Sequence, residues 1–361
     1  MTDLHAYLAE SIYNMMNHAH HHELANPRLT RFITRMMRVF RKSVRQRKKI
    51  LETEGVAVPP FLIASIATTC NLSCKGCYAR ENGIASEEAQ KEILSAEQWR
   101  AIFDEAAALG VNFCLLAGGE PLTRRDVLDQ AAQVKDIIFP VFTNGTLIGY
   151  QYIDLFKRRL NIIPVISLEG RTQRTDDRRG VGVYQRARMS MKMLERERLR
   201  FGVSFTVTTE NYRDVTAVDF LRELRDLGAH LVFFVEYVPV EKDTQHLALT
   251  EKHVAKLESI IEKLRKELDD VTILSFPGDE KAMDGCMAAG RGFFHIGPDG
   301  AAEPCPFSPY SDSNVADLGL LGALQSPLFQ RIRDTRALQW EHTGGCTLFE
   351  HRDEVEKMLQ A

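Results

Sequence analysis

Apolar and polar positions alternate in blocks between residues 61 and 240. Six runs rich in Val, Ile, Leu and Phe are separated by longer stretches with helical spacing of apolar residues. The apolar runs cover residues 61–68, 111–118, 139–144, 161–169, 201–209 and 231–240. Strands that alternate with helices predict parallel βαβ units, and nearly continuous apolar runs predict strands covered on both faces. The pattern therefore predicts an α/β fold whose strands all end at one edge.

Local signals mark the helices between these runs. Ser95, with Gln98 three positions later, predicts an N-terminal capping box, and Gly110 predicts the end of that helix. Gly228 ends the single helical pattern that precedes the sixth run. A further helix is expected from residue 250 to about residue 268, where it leads toward a loop-rich tail.

The first sixty residues follow a different pattern. Residues 28–49 contain ten Lys or Arg and no acidic residue, which leaves a net charge of −13 on the remainder of a chain whose total is −3. Apolar residues recur there every three or four positions, which predicts one amphipathic helix. Its apolar face consists of Leu29, Phe32, Ile33, Met36, Phe40 and Val44. Such a helix packs on the acidic body of the same protein or docks on an anionic membrane surface, and the sequence leaves both alternatives open.

Composition narrows the class of protein. A chain of 361 residues with 44% apolar residues can bury a full core and is long enough for two domains. No apolar run reaches the length of a membrane span, and residues 1–30 lack the apolar core of a secretory signal, so a cytoplasmic protein is expected. Seven cysteines, an odd number in a reducing compartment, favour metal ligation or simple packing over disulfides.

Three cysteines follow the first predicted strand. Cys70, Cys74 and Cys77 are separated by three and then two residues. Structural zinc takes four tetrahedral ligands, usually as two close pairs, and no second close pair follows. Three thiolates instead suit a four-iron cluster that leaves one iron open to substrate atoms.

The segment C-N-L-S-C-K-G-C-Y resembles the cluster loop of the radical SAM superfamily. In that family the open iron chelates the amino and carboxylate groups of S-adenosylmethionine (SAM), and an electron cleaves SAM to give a 5′-deoxyadenosyl radical. The resemblance implies a partial (β/α)6 barrel, open at one side for substrate, with a SAM-binding [4Fe-4S] cluster at its C-terminal face. It also implies an electron donor such as flavodoxin or ferredoxin, and no nucleic-acid partner is expected.

Four further segments resemble the family at successive strand ends. The segment LLAGGEPL places Gly118, Gly119 and Glu120 where the family holds the methionine ammonium of SAM. Two glycines let the backbone approach the ligand, and a carboxylate complements the cation. The remaining candidates for contacts with SAM are Thr143 and Asn144 in FTNGT, Ser167 and Glu169 in SLEG, and Arg179 in TDDRRGVGVY.

The resemblance gives some of these residues particular roles. Arg179 is implied to pair with the SAM carboxylate, and the segment that contains Ser167 and Glu169 often contacts the ribose. Gly76 departs from the family pattern, because many members carry an aromatic residue there beside the adenine. Tyr78 is the candidate for that contact in this chain.

The tail contains a second group of cysteines. Cys286 and Cys305 flank Gly300 with the spacing C-x13-G-x4-C, GPDG predicts a hairpin between them, and Cys346 follows. This arrangement resembles the auxiliary-cluster extension of radical SAM enzymes, termed SPASM in its long form and twitch in its short form. The resemblance implies a second [4Fe-4S] cluster with an open iron or a fourth, non-cysteine ligand. The candidates for that ligand are His295, His342 and Glu350. Cys114 lies inside the second predicted strand and is interpreted as a buried apolar residue.

These segments predict three parts and an activity. The parts are a basic helical N-terminal extension (1–60), a radical SAM partial barrel (61–250), and a linker helix with an auxiliary cluster domain (251–361). The resemblance implies an enzyme that abstracts a substrate hydrogen, with a peptide or protein as the favoured substrate. A lipid or small molecule reached by membrane docking is the alternative, and an iron-sulfur binding protein without catalysis is the second alternative.

Overall fold

The computed structural model describes residues 27–85, 93–283, 285–339 and 345–360. Within them, six strands lie side by side in chain order, and every neighbouring pair is parallel. These strands are β1 (Phe61–Ala67), β2 (Phe113–Gly118), β3 (Phe139–Thr143), β4 (Ile162–Leu168), β5 (Phe201–Val207) and β6 (Ala229–Glu236). Each apolar run of the sequence forms one of these strands, which confirms the predicted α/β fold.

The sheet extends beyond the six predicted strands at both edges. β7 (Thr272–Phe276) pairs with β6 in parallel. On the other side, β8 (His295–Ile296) pairs in parallel with β1 and antiparallel with β9 (Ala302–Glu303), so the predicted GPDG hairpin is formed. The order is β7-β6-β5-β4-β3-β2-β1-β8-β9, and the two outer described strands do not pair with each other, so the barrel is partial.

Fourteen helices accompany the strands in the part of the chain that the structure describes. They are α1 (Pro27–Glu54), α2 (Tyr78–Glu81), α3 (Ala96–Leu109), α4 (Arg125–Ala131), α5 (Tyr150–Arg158), α6 (Thr172–Arg179), α7 (Val183–Arg196), α8 (Tyr212–Val215), α9 (Val218–Asp226), α10 (Glu251–Glu267), α11 (Val315–Leu324), α12 (Pro327–Asp334), α13 (Thr347–Glu350) and α14 (Arg352–Gln360). Short 3-10 turns cover Pro121–Thr123, Gln245–Leu247, Gly278–Met283 and Ala337–Gln339. No helix of the described segments is both long and apolar enough to span a membrane.

The predicted signals of α3 are present as hydrogen bonds. Ser95 Oγ accepts from the Gln98 N–H at 3.2 Å, and Gln98 Oε1 accepts from the Ser95 N–H at 2.8 Å, which completes the capping box. Gly110 ends the helix with a φ of 89°, in the left-handed region that favours glycine.

The single helix expected before Gly228 is instead two helices, α8 and α9. Thr216 lies between them, and its Oγ1 donates to the Tyr212 carbonyl at 2.7 Å. A threonine side chain that satisfies a carbonyl in this way offers the backbone an alternative to continued helix. The spacing of apolar residues predicts helix on both sides of Thr216 but does not reveal this break.

The apolar face of α1 packs on the protein itself. Ile33, Met36 and Phe40 are buried and share a cluster with Ile138, while Phe113 packs against that cluster at the start of β2. This agrees with the first of the two alternatives for the basic helix. Of the other predicted apolar positions, Leu29 and Phe32 are partly buried against the same cluster, whereas Val44 is 38% exposed. The contacts lie at the amino ends of the strands, at the edge opposite the cysteine loop.

A buried arginine fixes α1 to the turn before β2. Arg47 is 6% exposed and donates from Nη1 to the Gly110 carbonyl and, at 2.9 Å, to Asn112 Oδ1. Asn112 Nδ2 donates in turn to Ser43 Oγ at 2.8 Å. Burial lowers the pKa of Arg47 to about 10. The helix is therefore attached by polar bonds as well as by its apolar face.

We expect Arg47→Ala to reduce the free energy of unfolding by about 1–3 kcal/mol, because it leaves two buried acceptors without their donor. Arg45→Ala, an exposed position on the same helix, is the matched control and should change it by less than about 0.5 kcal/mol. Urea unfolding under anaerobic conditions measures both. Equal effects of the two variants would mean that the Arg47 bonds do not attach the helix.

Candidate functional site

The cysteine loop lies at the carboxyl end of β1. Cys70, Cys74 and Cys77 are free, half-buried thiols. Burial raises the pKa of Cys70 and of Cys74, and in each case the neighbouring cysteines of the loop raise it further. The three thiols therefore face a shared space.

That space suits a cluster better than a single ion. Among the described residues, no three His, Cys, Asp or Glu side chains converge as ligands of one metal ion. A four-iron cluster makes a different demand, because each thiolate binds a separate iron and the ligands stand further apart. The three thiols of the loop meet this demand in number and in chemistry.

Two arginines at the end of α6 bring positive charge to the loop. Arg179 donates from Nε and Nη2 to Glu169 Oε1 at 2.8 and 2.6 Å, and Arg178 Nη1 donates to the same oxygen at 2.6 Å. The charges of both arginines lower the pKa of Cys74, although burial raises it more. Positive charge at this position stabilises thiolates and would also stabilise an anionic ligand.

Arg178 was not among the predicted site residues, yet it contacts the loop directly. Its Nε donates to the Lys75 carbonyl at 3.1 Å and its Nη2 to the Gly76 carbonyl at 3.2 Å. The Lys75 N–H donates back to the Arg178 carbonyl at 3.0 Å. Arg178 therefore fixes the backbone of the loop between its second and third cysteines. The adjacent arginines in the sequence were the available signal, but the contact depends on how α6 packs.

Glu120, Thr143 and Asn144 come together, as their positions at neighbouring strand ends predict. Glu120 is 1% exposed and accepts from Thr143 Oγ1 at 2.7 Å and from the Asn144 N–H at 2.8 Å. It also accepts from the Leu122 N–H at 3.0 Å. Burial raises the pKa of Glu120, while these hydrogen bonds oppose the rise. The carboxylate therefore joins the ends of β2 and β3.

The network continues to the cysteine loop. Asn144 Nδ2 donates to Asn71 Oδ1 at 2.9 Å, and Asn71 Nδ2 donates to Thr146 Oγ1 at 2.9 Å. Asn71 directly follows the first cysteine of the loop. Glu120 thus positions the loop through Asn144, a role that its place in the sequence did not reveal.

Gly118 and Gly119 permit a close approach between two parts of the chain, not only toward a ligand as the sequence interpretation assumed. A Cβ at Gly118 would lie 2.5 Å from the Ala67 carbonyl oxygen, and one at Gly119 would overlap the Thr69 carbonyl oxygen. The N–H groups of Gly119 and Glu120 donate to those same carbonyls at 2.7 and 2.8 Å. The glycines therefore let the end of β2 lie directly against the start of the cysteine loop.

Tyr78 and Gly76 have partners that the sequence did not indicate. The Tyr78 ring packs on Phe307 with ring centroids 5.1 Å apart, so it contacts the tail. A Cβ at Gly76 would overlap the Tyr237 hydroxyl and lie 2.9 Å from a ring carbon. The Gly76 N–H donates to Glu241 Oε2 at 2.7 Å. The aromatic ring over this part of the loop is therefore Tyr237, from the end of β6.

The three cysteines of the tail also lie together. Cys305 shares a hydrogen bond with Cys346, and this contact and burial raise the pKa of Cys305. Burial raises the pKa of Cys286, with further contributions from Glu280 and Cys346. These thiols form a second thiol-rich site, hereafter the tail cysteine site. Cys114 is fully buried within β2, as predicted.

One predicted fourth ligand for this site is wrong. His295 is fully buried in β8, where Nδ1 lies 2.6 Å from Glu303 Oε2 and Nε2 lies 2.7 Å from Ser65 Oγ. Both ring nitrogens are engaged, so neither is available to iron. Glu350 is exposed and follows Cys346 by one helical turn. The third candidate, His342, lies outside the described residues.

Comparison with known proteins assigns the family. The family model of the radical SAM superfamily matches residues 64–221, the span that contains the cysteine loop, the β2 and β3 ends and the arginine pair. Residues 64–221 form a radical SAM domain. Radical SAM proteins bind a [4Fe-4S] cluster and SAM, and the fold and the cysteine loop described above agree with that assignment.

Individual relatives cover different shares of this chain. It is 28% identical over 212 residues to Fe-coproporphyrin III synthase of Methanosarcina barkeri, which spans 57% of this chain but only about half, 52%, of that relative. It is 25% identical over 327 residues to AdoMet-dependent heme synthase of the same organism, covering 81% of this chain and 89% of the relative. It is 24% identical over 323 residues to PqqA peptide cyclase of Granulibacter bethesdensis, covering 80% and 82%.

Solved radical SAM structures share the fold. Streptococcus suis SuiB, determined with its precursor peptide SuiA, superposes with a TM-score of 0.65 at 18% sequence identity. The superposition covers 88% of this chain and 75% of SuiB. The similarity therefore extends beyond the barrel into the N-terminal or C-terminal parts of the chain.

An unpartnered carboxylate oxygen tests the fit to SAM. Glu169 is 1% exposed, and its Oε1 receives the bonds from both arginines. Its Oε2 is buried and accepts no hydrogen bond from the described residues. A buried acceptor without a donor is costly, and SAM carries ribose hydroxyls that are donors of the required kind. Ser167, on the preceding strand, is half-buried with its Oγ 3.1 Å from Ser204 Oγ.

Gly119→Ala should prevent assembly of the cluster in the cysteine loop, because the new Cβ displaces the Thr69 carbonyl next to Cys70. We expect iron per chain after anaerobic reconstitution to fall by about half, from about eight irons if each cysteine group holds a four-iron cluster. Gly149→Ala, where a Cβ meets nothing within 4 Å, is the control and should keep the full iron content. Full iron in both variants would show that the close approach is dispensable.

Proposed function

We propose that this chain binds SAM at the cysteine loop, cleaves it reductively and abstracts a hydrogen from a peptide or protein substrate. The observation that carries the proposal is the convergence of three thiols with the buried Glu169 and Arg179 at the carboxyl ends of parallel strands. Catalytic groups of such barrels lie at this edge. The family assignment supplies the chemistry, and the geometry supports its location.

Cys70, Cys74 and Cys77 would hold the cluster, with one iron left for SAM. When bound, the cluster supplies the electron that cleaves SAM to the 5′-deoxyadenosyl radical, which abstracts the substrate hydrogen. An external donor such as flavodoxin or ferredoxin would provide that electron. The protein itself contributes binding, orientation and exclusion of water around this chemistry.

In this proposal, three charged residues each bind a different group of SAM. Glu169 Oε2 accepts from a ribose hydroxyl, because it is a buried acceptor at this site without a hydrogen-bond partner among the described residues. Arg179 places its charge beside the loop, where it favours the SAM carboxylate. Glu120 accepts three hydrogen bonds, from Leu122, Thr143 and Asn144. A carboxylate has about four acceptor positions, so one is left for the methionine ammonium.

A small cavity beside Cys346 supports a peptide substrate. It has a volume of about 280 Å³ and lies between the chain that follows β6 and the helices α13 and α14. Its lining includes Val238, Pro239, Gln245, Phe349 and Arg352. Cavities for drug-sized ligands have volumes of about 300–1,000 Å³, so this one would admit a single amino-acid side chain of a bound peptide. PqqA peptide cyclase and SuiB, which act on or bind peptides by their names, resemble this chain over most of its length.

A tetrapyrrole is the second candidate substrate. It is favoured by the similarity to AdoMet-dependent heme synthase, which extends over 89% of that relative.

The rate of 5′-deoxyadenosine release distinguishes a peptide substrate from a tetrapyrrole substrate. A peptide encoded beside this gene should accelerate release severalfold, whereas Fe-coproporphyrin III should leave it unchanged. Acceleration by the tetrapyrrole alone would reverse the order of the candidates.

Peripheral attachment to an anionic membrane through residues 28–49 stays a prediction. The apolar face of α1 is buried, so only its exposed cations could meet lipid. These exposed cations of α1 include Arg38, Arg41, Lys42, Arg45 and Lys49. Each would contribute about 1 kcal/mol, with strong screening by salt. The basic face lies at the edge of the sheet opposite the cysteine loop, so it does not belong to the substrate entrance.

Glu169→Gln tests the SAM site. The variant keeps the shape but replaces the buried acceptor with an amide, so SAM affinity should fall by about tenfold to a hundredfold, the equivalent of about 1.5–3 kcal/mol. Glu223→Gln is the matched control, because Glu223 also pairs with two arginines but lies on α9, away from the loop. Binding of labelled SAM to the reconstituted protein, with 5′-deoxyadenosine release under dithionite, provides the measurement.

Two results would count against the proposal. If Glu169→Gln binds SAM as tightly as the wild type, the assigned role of that residue is wrong, while the family assignment stands. If the wild type forms a full, reducible cluster at the loop but releases no 5′-deoxyadenosine, the iron-sulfur binding protein without catalysis becomes the better description.

A further inference from the structure

The tail cysteine site offers three thiols, and a four-iron cluster has four irons to ligate. Cys286, Cys305 and Cys346 are the cysteines of this part of the chain. His295 is fully engaged by Ser65 and Glu303, and Glu350 is exposed. If the described residues supply the fourth ligand, it must be a residue other than these three cysteines, His295 and Glu350.

Glu280 lies at the required position. It belongs to the 3-10 turn Gly278–Met283, which precedes the first tail cysteine, and it is 8% exposed. Its carboxyl group shares a hydrogen bond with the Cys286 thiol and accepts one from the Met287 N–H. The carboxyl group and the thiol consequently face the same buried space.

The backbone on both sides of this contact is held in place. The Glu280 N–H donates to the Pro277 carbonyl at 2.7 Å, and the Cys286 N–H donates to the Leu338 carbonyl at 2.9 Å. Arg291 donates to the carbonyls of Met283 and Cys286. Backbone hydrogen bonds therefore hold Glu280 and Cys286 on the two sides of the contact between the carboxyl group and the thiol.

A structural role explains this arrangement less well. One hydrogen bond to the Met287 N–H would be served by an asparagine or a serine, whereas a carboxyl group buried beside three thiols is costly unless it is paired or binds a metal. Arg291 attracts the Glu280 carboxylate, and Glu236, which is also buried, repels it. Such a group of acids is stabilised by cations, and carboxylate oxygens are established ligands of protein-bound iron.

We infer that Glu280 is the fourth ligand of an auxiliary cluster held by Cys286, Cys305 and Cys346. This inference rests on the proposed cluster at the tail cysteine site. A carboxylate ligand closes the fourth iron, so the auxiliary cluster would not bind substrate through that iron while Glu280 is in place. Its role would then be electron exchange or support of the tail.

The test uses the full chain carrying Cys70→Ala, Cys74→Ala and Cys77→Ala, so that only the auxiliary cluster remains. After anaerobic reconstitution and reduction, ¹⁵N-imidazole is added, and electron-nuclear double resonance detects whether nitrogen binds an open iron. We expect about four irons and no nitrogen coupling. Adding Glu280→Ala should make the coupling appear, and Glu280→Cys should remove it again. Adding Glu350→Gln, the control for the competing ligand, should leave it absent.

The outcomes distinguish the existence of the auxiliary cluster from its ligation by Glu280. Nitrogen coupling in the chain that keeps Glu280 means that the fourth iron is open, and the inference is wrong. Coupling produced by Glu350→Gln but not by Glu280→Ala would assign the ligand to Glu350 instead. A chain that takes up no iron refutes the auxiliary cluster itself, and with it the ligand. Circular dichroism of each variant confirms that it is folded.

Discussion

The site depends on the ionic contact between Glu169 and the arginine pair that ends α6. Glu169 Oε1 accepts three N–H groups, two from Arg179 and one from Arg178. The Glu169 side chain is buried, and the two arginine side chains are largely buried. Charge buried at this depth is tolerated because it is paired and hydrogen-bonded. The same contact places two cations beside the thiols and leaves the second carboxylate oxygen buried without a hydrogen-bond partner among the described residues. The same three residues therefore stabilise this edge of the fold and form part of the proposed SAM site.

Parallel topology explains why these residues meet. The cysteine loop, Glu120, Asn144 and Glu169 each follow a different strand, but parallel strands all end at one edge. The tail joins the same sheet through β8, and His295 links that strand to Ser65 on β1. The two cysteine groups are consequently positioned by one continuous sheet, with the contact between Tyr78 and Phe307 lying between them.

The sequence predicted the features that depend on local pattern. The six strands, the capping box at Ser95 and the hairpin in the tail were all readable from spacing and residue type. It could not predict contacts made by packing between distant segments. The bond from Arg178 to the loop and the ring of Tyr237 over Gly76 join residues more than a hundred positions apart. His295 was misread because its two partners come from other strands.

The binding of SAM to an open iron of the Cys70, Cys74 and Cys77 cluster is the central claim. Its most direct test is electron-nuclear double resonance on the reduced protein with SAM labelled with ¹⁵N at the amino group, in a chain whose three tail cysteines are replaced by alanine. The account predicts a nitrogen coupling to the remaining cluster, as expected for direct ligation. A fully loaded, reduced cluster that shows no such coupling at saturating SAM would contradict it.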